Sequence, residues 1–162
     1  MKRHIPIVLL LAFVLCLSSC AGRPDLREET TMPETDSSEP MLFLTIDGTA
    51  VDIQWENNAA VAELYALAQN TITVNTSAYG GFEQVGSLPQ SFSRSDVQMT
   101  TQPGDVVLYS GNQLVVFFGS NSWSYTKLGH INALSADKLA ALLDKEQTVI
   151  KLQLRMPPFG HL

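Results

Sequence analysis

Cysteine is almost missing from this chain: the two that occur, Cys16 and Cys20, fall within the first 20 of 162 residues. Everything after them can form no internal disulfide, no thiolate metal site and no cysteine nucleophile. Basic side chains are scarce as well. Ten Lys and Arg stand against 16 Asp and Glu, giving a net charge of −6, so no positive field exists to gather phosphate backbones and nucleic acid is excluded as a partner. No Lys or Arg occurs between Arg27 and Arg94. Beyond the first few residues the histidines are His130 and His161 alone, the latter in a Pro-rich tail, which leaves a His-based zinc or iron site without support. No Gly-x-Ser-x-Gly, P-loop or dinucleotide fingerprint occurs, and no internal repeat is visible. The expectation is a domain without metal or cofactor. Glu83, Asp96 and Asp105 are carboxylates of the kind sugar hydrolysis pairs, but spacing alone does not bring them together.

Long hydrophobic runs are lacking too. The longest, residues 5–17, follows Lys2, Arg3 and His4 and spans about 20 Å as a helix, short of the roughly 30 Å core of a bilayer. A basic start, a short apolar run and small residues after it read as a secretory signal peptide. Its end, Leu17-Ser18-Ser19-Cys20, resembles the lipobox of bacterial lipoproteins. The resemblance implies removal of residues 1–19, lipid on Cys20, and a protein tethered to a membrane of the bacterial cell envelope. The alternative is an ordinary signal with an incidental cysteine. Ala21 replaces the aspartate associated with inner-membrane retention, which points to the outer membrane if the source is Gram-negative. Residues 20–40 then hold six acids, two arginines and three prolines, with few large apolar side chains, and such a stretch cannot bury enough surface to offset its ordering entropy. They are expected to be a disordered acidic tether.

From Met41 the pattern is that of a folded domain, expected to occupy residues 41–155, with 156–162 as a tail. Residues 41–47 and 50–56 are β-prone runs split by Gly48-Thr49, the second alternating Val51, Ile53 and Trp55 against polar neighbours; they predict a hairpin. Asn57 or Asn58 caps a helix to about Gln69, with Ala60, Val61, Leu64, Tyr65 and Ala68 on one face. Residues 71–75 return to alternation, and residues 79–89 read as a Gly-rich connection needing positive φ. Pro103-Gly104 suits a type II turn before a strand at 105–109, and Gly111-Asn112 turns the chain into a strand at 113–118. Ser135 opens a second helix with Ala136, Leu139, Ala140, Leu142 and Leu143 on its apolar face, and residues 148–154 form a last strand. Dominant strands with two separated helices predict a mainly β fold, a small closed barrel without free edges.

Four ordered motifs carry a resemblance: Tyr79-Gly80-Gly81-Phe82-Glu83, Gly86-x-Leu88-Pro89, the run from Pro103 to Gln113, and the run from Gly119 to Gly129 with Asn121, Trp123 and Tyr125. Together they resemble the bacterial cyclophilin-like fold family. The resemblance implies about eight strands closed into a barrel, capped by two helices, with the Gly-rich segments and the loop at 121–125 around a surface groove. True cyclophilins isomerise prolyl bonds with an arginine on the strand after the first helix, where a donor aimed at the prolyl nitrogen weakens amide resonance. Here that strand has none; Arg94 could approach the groove from another direction, the alternative being a solvated or ion-paired surface group. Gln113 begins a strand similar to that with which cyclophilins hold a peptide backbone; the alternative is an ordinary exposed strand residue. Trp123 and Tyr125 share a face and either form a platform or close the barrel. Of Phe117 and Phe118, one fills the barrel and the other faces a helix or the groove. His130 lacks a visible carboxylate partner. The groove candidates are thus Tyr79, Phe82, Arg94, Gln113, Trp123 and Tyr125. They imply a non-catalytic module holding a peptide segment or small molecule; the alternative is a divergent peptidyl-prolyl isomerase.

Overall fold

The structure, a computed structural model, describes residues 39–156. The expected signal peptide, Cys20, nearly all of the tether and the tail after Met156 lie outside the described residues.

The first strand, β1 (Met41–Ile46), alternates, and Leu42, Leu44 and Ile46 point into the core. Asp47 and Gly48, both at positive φ (48° and 81°), make the tight turn into β2 (Thr49–Val51). This is one residue earlier than the sequence suggests, and two successive positive φ angles match the twist of a hairpin. The expected second hairpin strand is in fact two pieces. β2 pairs with β1, but after Asp52 the chain changes partner, and β3 (Ile53–Trp55) pairs with a strand from the far end of the sheet, β9 (Ser122–Ile131). At that junction Gly129 has no room for a side chain: a Cβ would lie 2.6 Å from the Gln54 carbonyl oxygen. Trp55 secures the closure by donating its indole N–H to the Leu42 carbonyl at 2.7 Å.

Helix α1 (Ala59–Leu67) starts where Asn58 accepts the Val61 N–H at 3.0 Å, and its amide also donates to the Lys127 carbonyl of β9 at 2.8 Å. One side chain thus caps the helix and fastens it to the barrel. Strands β4 (Ile72–Tyr79) and β5 (Glu83–Ser87) follow, and here the sequence reading needs correction. The Gly-rich stretch is a hairpin, with Gly80 and Gly81 at φ 63° and 76° turning between two paired strands. Strand β6 (Val97–Thr100) leads to β7 (Asp105–Tyr109) and β8 (Gln113–Phe117), which are joined through Ser110 and Gly111, both at positive φ. After β9, Ser135 caps α2 (Ala136–Leu143), and β10 (Gln147–Arg155) ends the domain.

All pairings are antiparallel, in the order β2-β1-β10-β4-β5-β8-β7-β9-β3, with β6 attached only to β9. Because β2 and β3 are separated by Asp52 alone, the two ends of this path meet, and the mainly β architecture is a nearly closed barrel with two helices. It has ten strands where about eight were expected, since one run splits and β6 stands apart. The main core lies inside, built from Leu44, Ile46, Leu108, Leu114, Leu128, Ile150 and Leu152, and both helices feed it, α1 through Ala60 and Leu64 and α2 through Leu139 and Leu143. On α2 the expected face is narrower than the sequence suggests: Leu142 is only half-buried and Ala136 is exposed.

Candidate functional site

Strands β7 and β8 bury both of their faces. Val106, Leu108, Leu114 and Val116 point into the main core, so strict alternation sends Val107, Val115 and Phe117 to the outer side. There they meet Tyr125 in a second, smaller apolar cluster edged by Phe82, Val85, Met99 and Tyr109. The two phenylalanines at the end of β8 divide accordingly, Phe118 into the main core and Phe117 into the outer cluster. Strand β9 is ten residues long because it serves both regions: its first half pairs with β6 and its second half with β7.

A cavity of about 510 Å³ opens over this outer cluster. Strand β4 supplies Tyr79; β5 supplies Glu83 and Val85; β7 supplies Tyr109; β8 supplies Gln113 and Val115; β9 supplies Trp123 and Tyr125, and Asn121 enters from the loop before it. Tyr79 and Trp123, 68% and 57% exposed, form the rim, whereas Tyr125 and Glu83, 4% and 6% exposed, form the floor. The Tyr125 ring is packed edge-on against Phe117 (5.7 Å between centroids) and Tyr109 (6.0 Å). Its hydroxyl accepts from the Asn121 amide at 3.0 Å, while the Asn121 amide oxygen takes the Ser122 N–H at 2.8 Å. Asn121 is itself held by Thr101, whose hydroxyl accepts the Asn121 N–H at 2.9 Å. This wall of the cavity is therefore pre-set by the fold.

Glu83 is the unusual member. Burial pushes its carboxyl up to about 7, and its Oε2 is buried with no hydrogen-bond partner. Burial also raises the Tyr125 phenol, with the charge of Glu83 as the next cause, so the two groups are electrostatic neighbours on the floor.

Of the residues singled out in the sequence, Tyr79, Gln113, Trp123 and Tyr125 line this one cavity. Two do not. Phe82 lies beneath it, stacked parallel to Phe117 at 6.5 Å, with its carbonyl accepting the N–H groups of Phe118 and Gly119 at 2.9 Å each. Arg94 packs over Gly111 and is ion-paired with Asp96, which holds the Asp96 carboxyl below its ordinary range; the Thr126 hydroxyl, donating to Asp96 at 2.6 Å, assists. His130 does have a carboxylate partner: Asp105 Oδ1 sits 2.8 Å from Nδ1, with Lys127 at 3.4 Å. Glu83, Asp96 and Asp105 thus stand in three different settings: the first with an unpartnered oxygen, the second on Arg94, the third on His130 and Lys127. Among the described residues no cluster of three or more His, Cys, Asp or Glu gathers that could hold a metal ion.

Sequence reasoning passed over Glu83, Val85, Tyr109, Val115 and Asn121 as site residues. The signal was present in the alternation. Once Gly80-Gly81 is taken as a hairpin turn, Tyr79, Glu83 and Val85 fall on one face, and the pairing of Tyr109 with Gln113 puts Tyr109 beside them.

The family model of the cyclophilin-like family matches residues 44–155, which is the whole barrel but for the start of β1. The chain belongs to the cyclophilin-like family. No curated protein matches it. On this cyclophilin-like barrel the strand after the first helix, β4, carries no arginine, and its cavity-facing residue at the rim is Tyr79.

Proposed function

We propose that this cyclophilin-like domain is a non-catalytic binding module of the bacterial cell envelope, holding a peptide segment or small molecule in the cavity over the outer cluster. The observation that carries this reading is convergence: Gln113, Trp123 and Tyr125, from two different strands, share one concavity with an exposed aromatic rim and a pre-set floor. An amide that can both donate and accept, placed beside aromatic faces, suits a peptide-like or small polar ligand. The lining includes no arginine, lysine or histidine. Arg94, the arginine singled out from the sequence, is outside the cavity lining and occupied by Asp96, which argues against the isomerase alternative. Tethering through lipidated Cys20, at the end of a spacer of about 20 residues, would place the barrel roughly 25 Å from a membrane surface by random-coil scaling.

The test is a pair of measurements on the full chain. A proline-peptide isomerisation assay should show no acceleration over the uncatalysed rate, and titration with blocked short peptides should perturb the indole signal of Trp123. Acceleration that is lost on Arg94→Ala would overturn the non-catalytic reading.

A further inference from the structure

We propose that the cavity takes an organic cation bearing N–H donors, of the alkylammonium class, with the Glu83 carboxylate as its anchor and the aromatic side chains as its walls. The proposal rests on the reading of this cavity as a ligand site and names the chemistry of the ligand.

Three independent observations point the same way. Glu83 is 94% buried, lines the cavity, and has an oxygen, Oε2, that no protein donor reaches. Buried acceptors are nearly always paired, so an orphan of this kind at the floor of an open cavity marks a place where a donor is to be supplied from outside. Next, the side chains around it are aromatic: Tyr79 from β4, Tyr109 from β7, and Trp123 and Tyr125 from β9. Ring faces attract cations, and a desolvated cation between a carboxylate and several rings gains from both. Finally, the residues that line the cavity include no positive charge. Strand β8 contributes Gln113 and Val115; Arg94, which lies within electrostatic reach of Tyr109, is held by Asp96, and Lys127, two residues beyond Tyr125 on β9, is held by Asp105. With a net charge of −6, the chain as a whole also favours the approach of cations over anions.

The titration of Glu83 gives the proposal a signature. With its carboxyl near 7 in the empty cavity, an ammonium ligand should favour the ionised form and draw that value down. Affinity should therefore rise as pH climbs through about 7 and level off above it. The other titratable groups lining the cavity are the phenols of Tyr79, Tyr109 and Tyr125, and burial moves the Tyr125 phenol upward, away from that range.

The experiment is an NMR titration of the full chain with n-butylammonium chloride, against 1-butanol and N-acetylprolinamide as neutral probes. Signals of the Trp123 indole and Gln113 amide report occupancy, and the Glu83 carboxyl carbon reports ionisation. At pH about 8.5, n-butylammonium should bind at least about tenfold more tightly than 1-butanol, and it should lose most of that advantage at pH about 5.5. Glu83→Gln should abolish both the preference and its pH dependence. In the unaltered protein, n-butylammonium should lower the titration midpoint of the Glu83 carbon, a readout that needs no variant. If a neutral probe shifts the same signals as strongly as n-butylammonium, the cation inference fails while the cavity reading stands. If no probe shifts them, both fail.

Discussion

Glu83 and Gln84 are neighbours on β5, each almost wholly buried, and they face opposite sides of the sheet with opposite outcomes. Gln84 turns into the barrel, where its amide nitrogen donates to the Leu143 and Lys145 carbonyls at 2.7 Å each and its oxygen accepts from the Thr76 hydroxyl at 2.9 Å. Glu83 turns to the outer cavity and leaves Oε2 without a partner. A fold able to satisfy one buried polar side chain so fully has no structural need for the other. The contrast separates a residue kept for architecture from one exposed to whatever enters the cavity.

The first prediction follows from the Glu83 carboxyl. Burial raises it from 4.5 to about 7, so its contribution to stability is full below the unfolded value and is lost as pH rises through about 7. At 1.36 kcal/mol per unit, the loss is about 3 kcal/mol. Asp47, Glu63 and Asp96, all held below their ordinary values, act in the opposite sense and weaken the fold in acid. A difference measurement isolates Glu83. Relative to the unaltered protein, Glu83→Gln should gain about 2–3 kcal/mol in urea stability between pH about 4.5 and about 8. A flat difference would mean that water reaches the floor and the carboxyl titrates normally.

Gln84 yields the complementary prediction. Gln84→Ala strips donors from two carbonyls at the end of α2 and leaves the Thr76 hydroxyl with only the Thr148 carbonyl, its partner at 2.9 Å. The expected cost is about 2–4 kcal/mol by denaturant titration, without any change in ligand binding. A cost under about 0.5 kcal/mol would show that solvent already serves that helix end.

The parts of this architecture that depend on neighbouring residues are readable from the chain alone. Asn58 and Ser135 cap helices because the cap is made within three residues, and the Pro103-Gly104 turn is equally local, with Gly104 at φ 97°. What escapes is set by distant partners. The run at 50–56 looks like one strand, and only Gly129, clearing the way for the Gln54 backbone, shows why it leaves β1 for β9. The Asp105–His130 contact likewise depends on the β7 to β9 register, which shifts between Val106 and Val107. In the cavity, aromatic and amide residues stand out by type, so Tyr79, Gln113, Trp123 and Tyr125 are found from the sequence. Glu83 is one of three carboxylates, with Asp96 and Asp105, that the sequence raises without telling apart, until a buried oxygen without a partner distinguishes it. Arg94 stands out only as a rare arginine, and rarity says nothing of the Asp96 that occupies it.

Lipid attachment, expected from residues 17–20, depends on a thiol that serine cannot replace. Mass spectrometry of the membrane-extracted protein should show added lipid on Cys20, and Cys20→Ser should release the protein to the soluble fraction. Membrane retention of that variant, with no lipid mass on the unaltered protein, would overturn the tether.

Trp123 distinguishes a binding rim from a structural plug. Its side chain is 57% exposed, and it lies on the half of β9 that pairs with β6 across from Met99, away from the main core. Removing a large side chain that is mostly in water costs little, so Trp123→Ala should change unfolding stability by under about 1 kcal/mol, against the ~3–5 kcal/mol expected if the indole filled a core. Binding should respond in the reverse proportion. Loss of one wall of the cavity should weaken peptide or n-butylammonium binding by about tenfold, taking a single aromatic contact as ~1–1.5 kcal/mol. Tyr125→Phe offers the control from the floor: it keeps the ring packed on Phe117 and removes only the hydroxyl that accepts from Asn121 at 3.0 Å. A Trp123→Ala protein that unfolds readily, or one that binds its probes unchanged, would remove Trp123 from the site and leave Glu83 and Gln113 to account for recognition.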